Sequence, residues 1–169
     1  MPNRPSHERL MKEEDLHAVL AVQAACYPPA MQEPAAVVLD RLRAAPATTL
    51  VACDGEGVCA YVFAYPSKRG RITPLHAGFA PAPDADTLYV HDLAVHPRAL
   101  GQGLGRSLVQ ALFDAARAQG LHQAALVAVM DARPFWEALG FAEADPGQGA
   151  AALASYPGDA LYMWRRIDA

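Results

Sequence analysis

A single mixed α/β domain is the fold predicted by the 169-residue sequence, on three observations. The length matches about one domain, and 53% hydrophobic against 19% charged residues supplies one sizeable core and excludes a disordered chain. Fourteen prolines and twelve glycines punctuate many short elements rather than a few long helices. Residues 87–129 read as strand, glycine-rich turn, helix and a nearly all-apolar strand, the pattern of a buried parallel crossover. Fourteen basic against eighteen acidic side chains give a net charge of −4, so a broad polyanion surface, and with it nucleic-acid binding, is not expected. The odd set Cys26, Cys53 and Cys59 contains no close CxxC pair, which argues against a disulfide framework or a zinc site. With no signal-like leader and no apolar run of membrane-spanning length, a reduced, cytoplasmic protein without membrane association is expected.

Taken in order, Arg9 to Lys12 reads as an edge strand. Asp15 is placed to cap a helix carrying Leu16, Val19, Leu20 and Val22 at helical spacing, which must end before Pro28-Pro29. A second helix runs from Pro34 to Ala44 with Val37, Val38 and Leu42 on one side. Thr48–Cys53 and Val58–Tyr65 form a hairpin around Asp54-Gly55-Glu56-Gly57, because glycine tolerates the positive φ of tight turns. Residues 66–86, rich in proline and small residues, read as a long irregular excursion of the kind that covers a site. Thr87–Val95 is a strand, and after the glycine turn a helix reaches about Gln119, with Gly120 as its stop. Ala124–Val129 is the second strand of the crossover. Asp131 is placed to cap a short helix, Arg133–Leu139, closed by Gly140, followed by a Gly/Ala-rich loop at 145–152 and a closing strand at Ala160–Arg166.

A strand, a glycine turn and a helix start together present free N–H groups and the positive end of a helix dipole, which is an anion site. No Lys follows the glycines, so a phosphate-loop nucleoside triphosphatase is excluded. The dinucleotide fingerprint also fails: Gly101 and Gly103 lead to Arg106, and Gly103 and Gly105 lead to Leu108. The run LAVHPRALGQGLGRSL resembles the acyl-CoA-binding motif of the GNAT N-acetyltransferase superfamily, with Leu100 standing at that family's Arg/Gln position. A second segment, DARPFWEALGF at 131–141, is similar to the family's late helix and lies at the matching distance.

The resemblance covers nearly all of residues 1–169. It implies a mostly antiparallel mixed sheet of about six to seven strands, a central parallel pair splayed around the cofactor and about four flanking helices. It implies acetyl-CoA as cosubstrate, released as coenzyme A, held by Gly101, Gln102, Gly103, Leu104, Gly105 and Arg106 at the pyrophosphate beside Leu100. Leu93, Ala94 and Val95 would meet the acetyl and pantetheine part, and Trp136 is either core or a wall of the pantetheine channel.

Acetyl transfer to an amine needs an uncharged nucleophile, a hydrogen bond to the thioester oxygen and a proton for the leaving thiolate, and no metal. His91 lies on the motif strand two residues before Leu93, so alternation puts it on one face with Tyr89 and Leu93, and Asp92 on the other unless a bulge intervenes. The segment YVHDLAVH is similar to the arylalkylamine N-acetyltransferase branch, where a histidine at this place belongs to a proton route, and this points to His91 as the base. The family's usual acid, a tyrosine in the late helix, aligns with Trp136, whose indole cannot protonate a thiolate. Tyr156 and Tyr89 are the replacement hydroxyls, or water serves. Tyr27, Glu33 and Tyr65, with Met31 and Phe79, form an aromatic and acidic set suited to a small amine such as an arylalkylamine or polyamine. Lys68, Arg69 and Arg71 with Arg98 and Arg106 make a modest basic group within reach of the cofactor's phosphates. The leading expectation is acetylation of a small-molecule primary amine by direct attack in a ternary complex. Acetylation of a protein N-terminus or lysine, and acyl-CoA binding without turnover, are the rivals, and a homodimer is left open.

Overall fold

In a computed structural model, which describes residues 6–167, one seven-stranded sheet organises the chain. Its strands are β1 (His7–Leu10), β2 (Thr49–Asp54), β3 (Gly57–Ser67), β4 (Thr87–Val95), β5 (Gln123–Ala128), β6 (Ala142–Glu143) and β7 (Leu161–Arg166), in the order β1-β2-β3-β4-β5-β7-β6. All pairings are antiparallel except β4 with β5. Its helices are α1 (Leu16–Cys26), α2 (Ala35–Ala44), α3 (Leu104–Ala118), α4 (Arg133–Ala138) and α5 (Ala150–Leu153). No helix among the described residues is long and apolar enough to cross a membrane.

Strand alternation divides the core into two layers. On β3, Ala60, Val62 and Ala64 face α3, whose Leu104, Leu108, Val109, Leu112, Phe113 and Ala116 are all buried. Tyr61, Phe63 and Tyr65 face the opposite layer, with Val19, Val22, Val38 and Leu42 of α1 and α2. Small strand side chains let the bulky α3 stripe sit close to the sheet, and the aromatics fill the wider gap on the other side. Gly120, at φ 75, ends α3, where the Leu121 amide returns to the Ala116 carbonyl at 2.9 Å.

The parallel pair is the feature that positions the site. β4 and β5 pair only over Thr87–Val90 and Gln123–Leu126, and then separate, while β4 continues to Val95. β3 remains paired with β4 as far as Val95, but the register slips: Ala64 opposes Val90 and Phe63 opposes Asp92. His91 is therefore an inserted residue, a bulge at the point of separation. Alternation is reset there. Leu93 faces the α3 layer, whereas His91 and Asp92 both turn to the α1/α2 side with Tyr89. The expected common face of His91 and Leu93 is corrected accordingly.

Other boundaries shift for local reasons. The expected strand at Arg9–Lys12 is His7–Leu10, because the Lys12 amide bonds Asp15 Oδ2 at 2.8 Å and Arg9 grips the same carboxylate at 2.7 and 2.8 Å. That grip diverts Asp15 from capping α1. β3 runs on through Pro66, which is tolerated because β2 pairs no further than Phe63 and asks for no amide there, while the Pro66 carbonyl accepts from the Ala82 amide at 3.0 Å. Asp131 adopts φ 62 and makes no cap bond to α4, whose flanking residue is Ala132. The short α5 forms at the end of the segment expected to be a Gly/Ala-rich loop, and β6 lies in a stretch for which no element is expected.

Candidate active site

Where β4 and β5 part, a cavity of about 250 Å³ opens between His91–Val95 of β4 and Leu126–Val129, closed by Cys26, Tyr27, Met130 and Trp136. A second cavity of about 520 Å³ continues over the glycine turn and shares Leu93, Val95, Ala132 and Trp136 with the first. Leu100, Gly101, Gly103, Leu104, Gly105 and Arg106 line it, together with Phe135.

The turn is built for close approach. Gly103 takes φ 74 directly before α3, a backbone conformation that L side chains resist. A Cβ on Gly105 would stand 3.2 Å from the Phe135 ring and 3.8 Å from Leu93. Among the described residues, the first amide here to find a backbone acceptor inside the helix is Ser107, bonded to the Gly103 carbonyl at 3.0 Å, so the amides of Leu104, Gly105 and Arg106 point out of the helix start unpaired. Free amides, a dipole end and an apolar floor fit the pyrophosphate and pantetheine arm of an acyl-CoA. Side chains add little charge: Arg106 is exposed, Leu100 is 64% exposed, and Arg98 is occupied by Asp54 and Glu56. Lys68 pairs with Asp84 and Arg69 stacks on Trp164, so the expected basic group is not assembled at this turn.

On the other side of β4 the site is made of side chains. His91, with its side chain 2% exposed, directs Nε2–H to Glu33 Oε1 at 3.0 Å. Glu33, from the α1–α2 connection, also accepts from Arg41 of α2 through the same oxygen, and its Oε2 accepts from the His76 amide at 2.9 Å. Arg41 reaches on to the Ala77 carbonyl at 2.9 Å and lies over the Phe79 ring, whose edge meets His91. Burial acts to raise the Glu33 carboxyl, but the bonds from His91 and Arg41 outweigh it and hold the group at about 2, against an ordinary 4.5. The His91 ring is thus fixed from one side, and its Nδ1 is buried with no hydrogen-bond partner.

Next to it, Asp92 accepts from Tyr27 Oη at 2.7 Å and from Tyr61 Oη at 2.8 Å. Burial pushes the Asp92 carboxyl above its usual value, although the neighbouring His91 and the two phenols act the other way. Burial and then the Asp92 charge hold the Tyr27 phenol well above its ordinary value, so Tyr27 remains a donor. Cys26, on the same cleft wall, directs its thiol to the Val95 carbonyl at 3.2 Å.

The structure brings His91, Tyr27, Leu93, Ala94, Val95 and Trp136 together around the first cavity. Gln102, exposed in the glycine turn, does not line either cavity. Tyr156 stands on a smaller neighbouring cavity and gives its hydroxyl to the Thr73 carbonyl at 2.6 Å. Tyr89 is fully buried with an unpartnered hydroxyl, and Tyr65 faces away, bonded to Thr73 Oγ1 and stacked on Phe79 at 4.3 Å. Glu33 sits at this site too, but its oxygens are committed to Arg41, His91 and the His76 amide. Sequence reasoning missed Arg41 and the role of Asp92. The signal for Arg41 was its place between Val38 and Leu42 on the buried stripe of α2.

A splayed parallel pair beside a glycine turn at a helix start defines a class of acyl-CoA-dependent transferases. The profile of the acetyltransferase (GNAT) family matches residues 16–141, and the chain belongs to that family. No curated protein sequence matches the chain. Among solved structures, Ard1 from Thermoplasma volcanium is similar at 18% identity and TM-score 0.74, covering 97% of this chain and 99% of that one. The ribosomal-protein-S18-alanine N-acetyltransferase of Escherichia coli is similar at 18% identity and TM-score 0.71, covering 98% and 96%. A GNAT-like decarboxylase, GphF, in complex with isobutyryl-CoA is similar at 18% identity and TM-score 0.73, covering 96% and 100%. The enzyme is an N-acetyltransferase with acetyl-CoA as cosubstrate.

Proposed function

We propose that the chain acetylates a primary amine of a small molecule by direct attack within a ternary complex, with His91 as the base. One observation carries this reading: His91, a lining residue of the cleft, is oriented by Glu33 through Nε2–H, and its lone-pair nitrogen, Nδ1, is buried without a protein partner. In a neutral imidazole that donates through one nitrogen, the other is an acceptor. The amine gives its proton to Nδ1 as its nitrogen bonds to the thioester carbonyl carbon. Glu33 then faces an imidazolium and stabilises it, in the way a carboxylate supports a histidine base in hydrolytic triads. The C–S bond breaks next. Trp136 cannot supply the thiolate's proton and Tyr156 is bound to Thr73, so water relays the imidazolium proton of His91 to the thiolate, adequate for a thiol of ordinary pKa ~8.5, and His91 returns to its neutral form.

A small acceptor is supported by the narrowness of the approach. The cavity beside His91 away from the glycine turn measures only about 30 Å³ and is bounded by Met31, Leu75 and Tyr156 of the covering segments.

The test is thiol release from acetyl-CoA across primary amines, amino acids and peptides. Turnover with simple amines is expected, falling in His91→Ala by roughly a thousandfold, within the span usual for a lost general base, while CoA affinity holds. An unchanged kcat in His91→Ala removes the base, and turnover with peptides alone removes the small-molecule acceptor.

A further inference from the structure

Beyond the bulge, β4 has an edge that no strand covers. The His96 amide bonds the Cys59 carbonyl at 2.8 Å, which makes these two a hydrogen-bonded pair; with Ala60 opposite Val95 and Tyr61 opposite Ala94, such pairs alternate along the ladder. Asp92 and Ala94 therefore direct their amides and carbonyls to β3, while those of Leu93 and Val95 point the other way, into the gap that β5 leaves after Leu126. Backbone groups on a deserted edge need partners. The carbonyls have them. Cys26, the last residue of α1, gives its thiol to the Val95 carbonyl at 3.2 Å. Tyr27, the next residue, reaches the Leu93 carbonyl at 3.2 Å with the same hydroxyl that bonds Asp92 Oδ1 at 2.7 Å. Among the described residues, the amides of Leu93 and Val95 take no acceptor from β3 or β5, so the edge offers the cleft donors only.

We infer that Tyr27 is a positioning residue for acetyl transfer: by tying the Asp92 side chain to the Leu93 carbonyl, it fixes the Leu93 amide between them as donor to the thioester oxygen. Leu93 lines both cavities and so stands where the cofactor groove opens into the cleft. As the amine adds, negative charge collects on that oxygen, and a donor already aimed at it lowers the barrier without having to reorient. The Leu93 carbonyl points to the same side as the amide and, left bare, would repel the charged oxygen. The Tyr27 hydroxyl covers it. Tyr61 Oη bonds the other oxygen of Asp92 at 2.8 Å, and so steadies the carboxylate that holds Tyr27 without itself bonding Leu93. This role requires attack on the thioester, but neither a particular amine nor His91 as the base.

The test reads the thioester itself. Acetyl-CoA, isotope-labelled at the thioester carbonyl and bound without an acceptor, is followed by infrared difference spectroscopy. Binding to the unaltered protein should lower the carbonyl stretching frequency, and Tyr27→Phe, which keeps the ring, should return it most of the way to that of free acetyl-CoA. With a simple primary amine, kcat in Tyr27→Phe should fall by roughly tenfold, part of the hundredfold or more that loss of a whole oxyanion donor costs, with KM for acetyl-CoA within about twofold. Tyr61→Phe takes a hydroxyl from the same carboxylate and should cost about threefold in kcat, the scale of one hydrogen bond, with the lowered frequency retained. Asp92→Asn, whose amide donates to Tyr27 and turns the phenol proton wholly to Leu93, should retain it too. No lowering in the unaltered protein, an unmoved frequency in Tyr27→Phe, or equal changes in Tyr27→Phe and Tyr61→Phe overturns the inference. So does a raised KM at constant kcat, which would make Tyr27 a binding contact, and so does loss of the lowered frequency in Asp92→Asn, which would assign it to the carboxylate charge. The infrared comparison decides on Tyr27 even where no simple amine turns over, so failure of the proposed acceptor is read separately.

Discussion

The two sides of β4 solve different problems with different materials. On the cofactor side, a highly charged group is met by backbone amides at the start of α3 and by an apolar floor of Leu93, Leu104, Phe135 and Trp136, with Arg106 as the exposed cation nearby. On the acceptor side, Arg41, Glu33, His91, Asp92, Tyr27 and Tyr61 interlock through side chains from α2, the α1–α2 connection, β4, α1's end and β3. Backbone donors come from contiguous residues and are removed by no substitution other than proline. A side-chain network must be assembled from distant segments, and each member depends on the others. The cofactor side should therefore break through shape and the acceptor side through charge.

The largest effect is expected from shape. Gly105→Val places branches where a single Cβ already comes within 3.2 Å of Phe135, pushing that ring into the groove. Gly103→Val forces a β-branched residue to φ 74, where strain is of order 1–3 kcal/mol. CoA affinity should fall by about a hundredfold or more in Gly105→Val and by less in Gly103→Val, consistent with the cost of overpacking against the cost of strain. Calorimetric titration with CoA measures both, with thermal unfolding as control. Equal losses in the two variants would mean that turn conformation alone, and not clearance to Phe135, sets the site.

Charge comes second. The Glu33 carboxyl is depressed in the folded state from 4.5 to about 2, so its contribution to stability is fully present above about pH 4.5 and is lost as pH falls towards 2. The size is roughly 3 kcal/mol by the usual conversion of pKa shifts. Glu33→Gln removes that dependence and leaves Arg41, itself 2% exposed, without its carboxylate. Urea unfolding at pH 6 should find the variant weaker, and the gap between the two proteins should narrow by about half by pH 3 and close only as pH reaches about 2. In turnover, a positioning role predicts a lower kcat with the amine KM little changed. A higher KM at constant kcat would instead make Glu33 a direct acceptor contact.

The same division explains what could be read without the structure. The hairpin around Asp54-Gly55-Glu56-Gly57, the strand–turn–helix from Thr87 to Ala118 and the apolar β5 each carry their instructions within a few neighbouring residues, and the structure forms them near the expected limits. The cofactor turn was legible for the same reason. His91 was legible as a position on β4, but the bulge that turns Asp92 to the same side arises from register against β3, which alternation along one strand cannot reveal. Glu33 was visible as an acidic residue near the site. Its commitment to His91, fifty-eight positions away, required the tertiary fold. β6 spans two residues and is recognisable only by its pairing with β7.

The smallest effect tests how completely the backbone has replaced side chains on the cofactor side. Leu100 borders the turn cavity and is 64% exposed, so an arginine there meets no packing obstacle. An exposed ion pair is worth about 0.2–1 kcal/mol, so Leu100→Arg should tighten CoA by roughly two- to fivefold at low salt. The gain should vanish as ionic strength approaches about 0.5 M, because screening acts strongly on exposed charges. Acetyl-pantetheine, which lacks the pyrophosphate, should gain nothing. Calorimetry with both compounds at two salt concentrations separates the outcomes. A gain that persists in salt, or that extends to acetyl-pantetheine, would place residue 100 against the pantetheine arm. The phosphate would then lie deeper over Gly103, held by amides that no side chain at position 100 can assist.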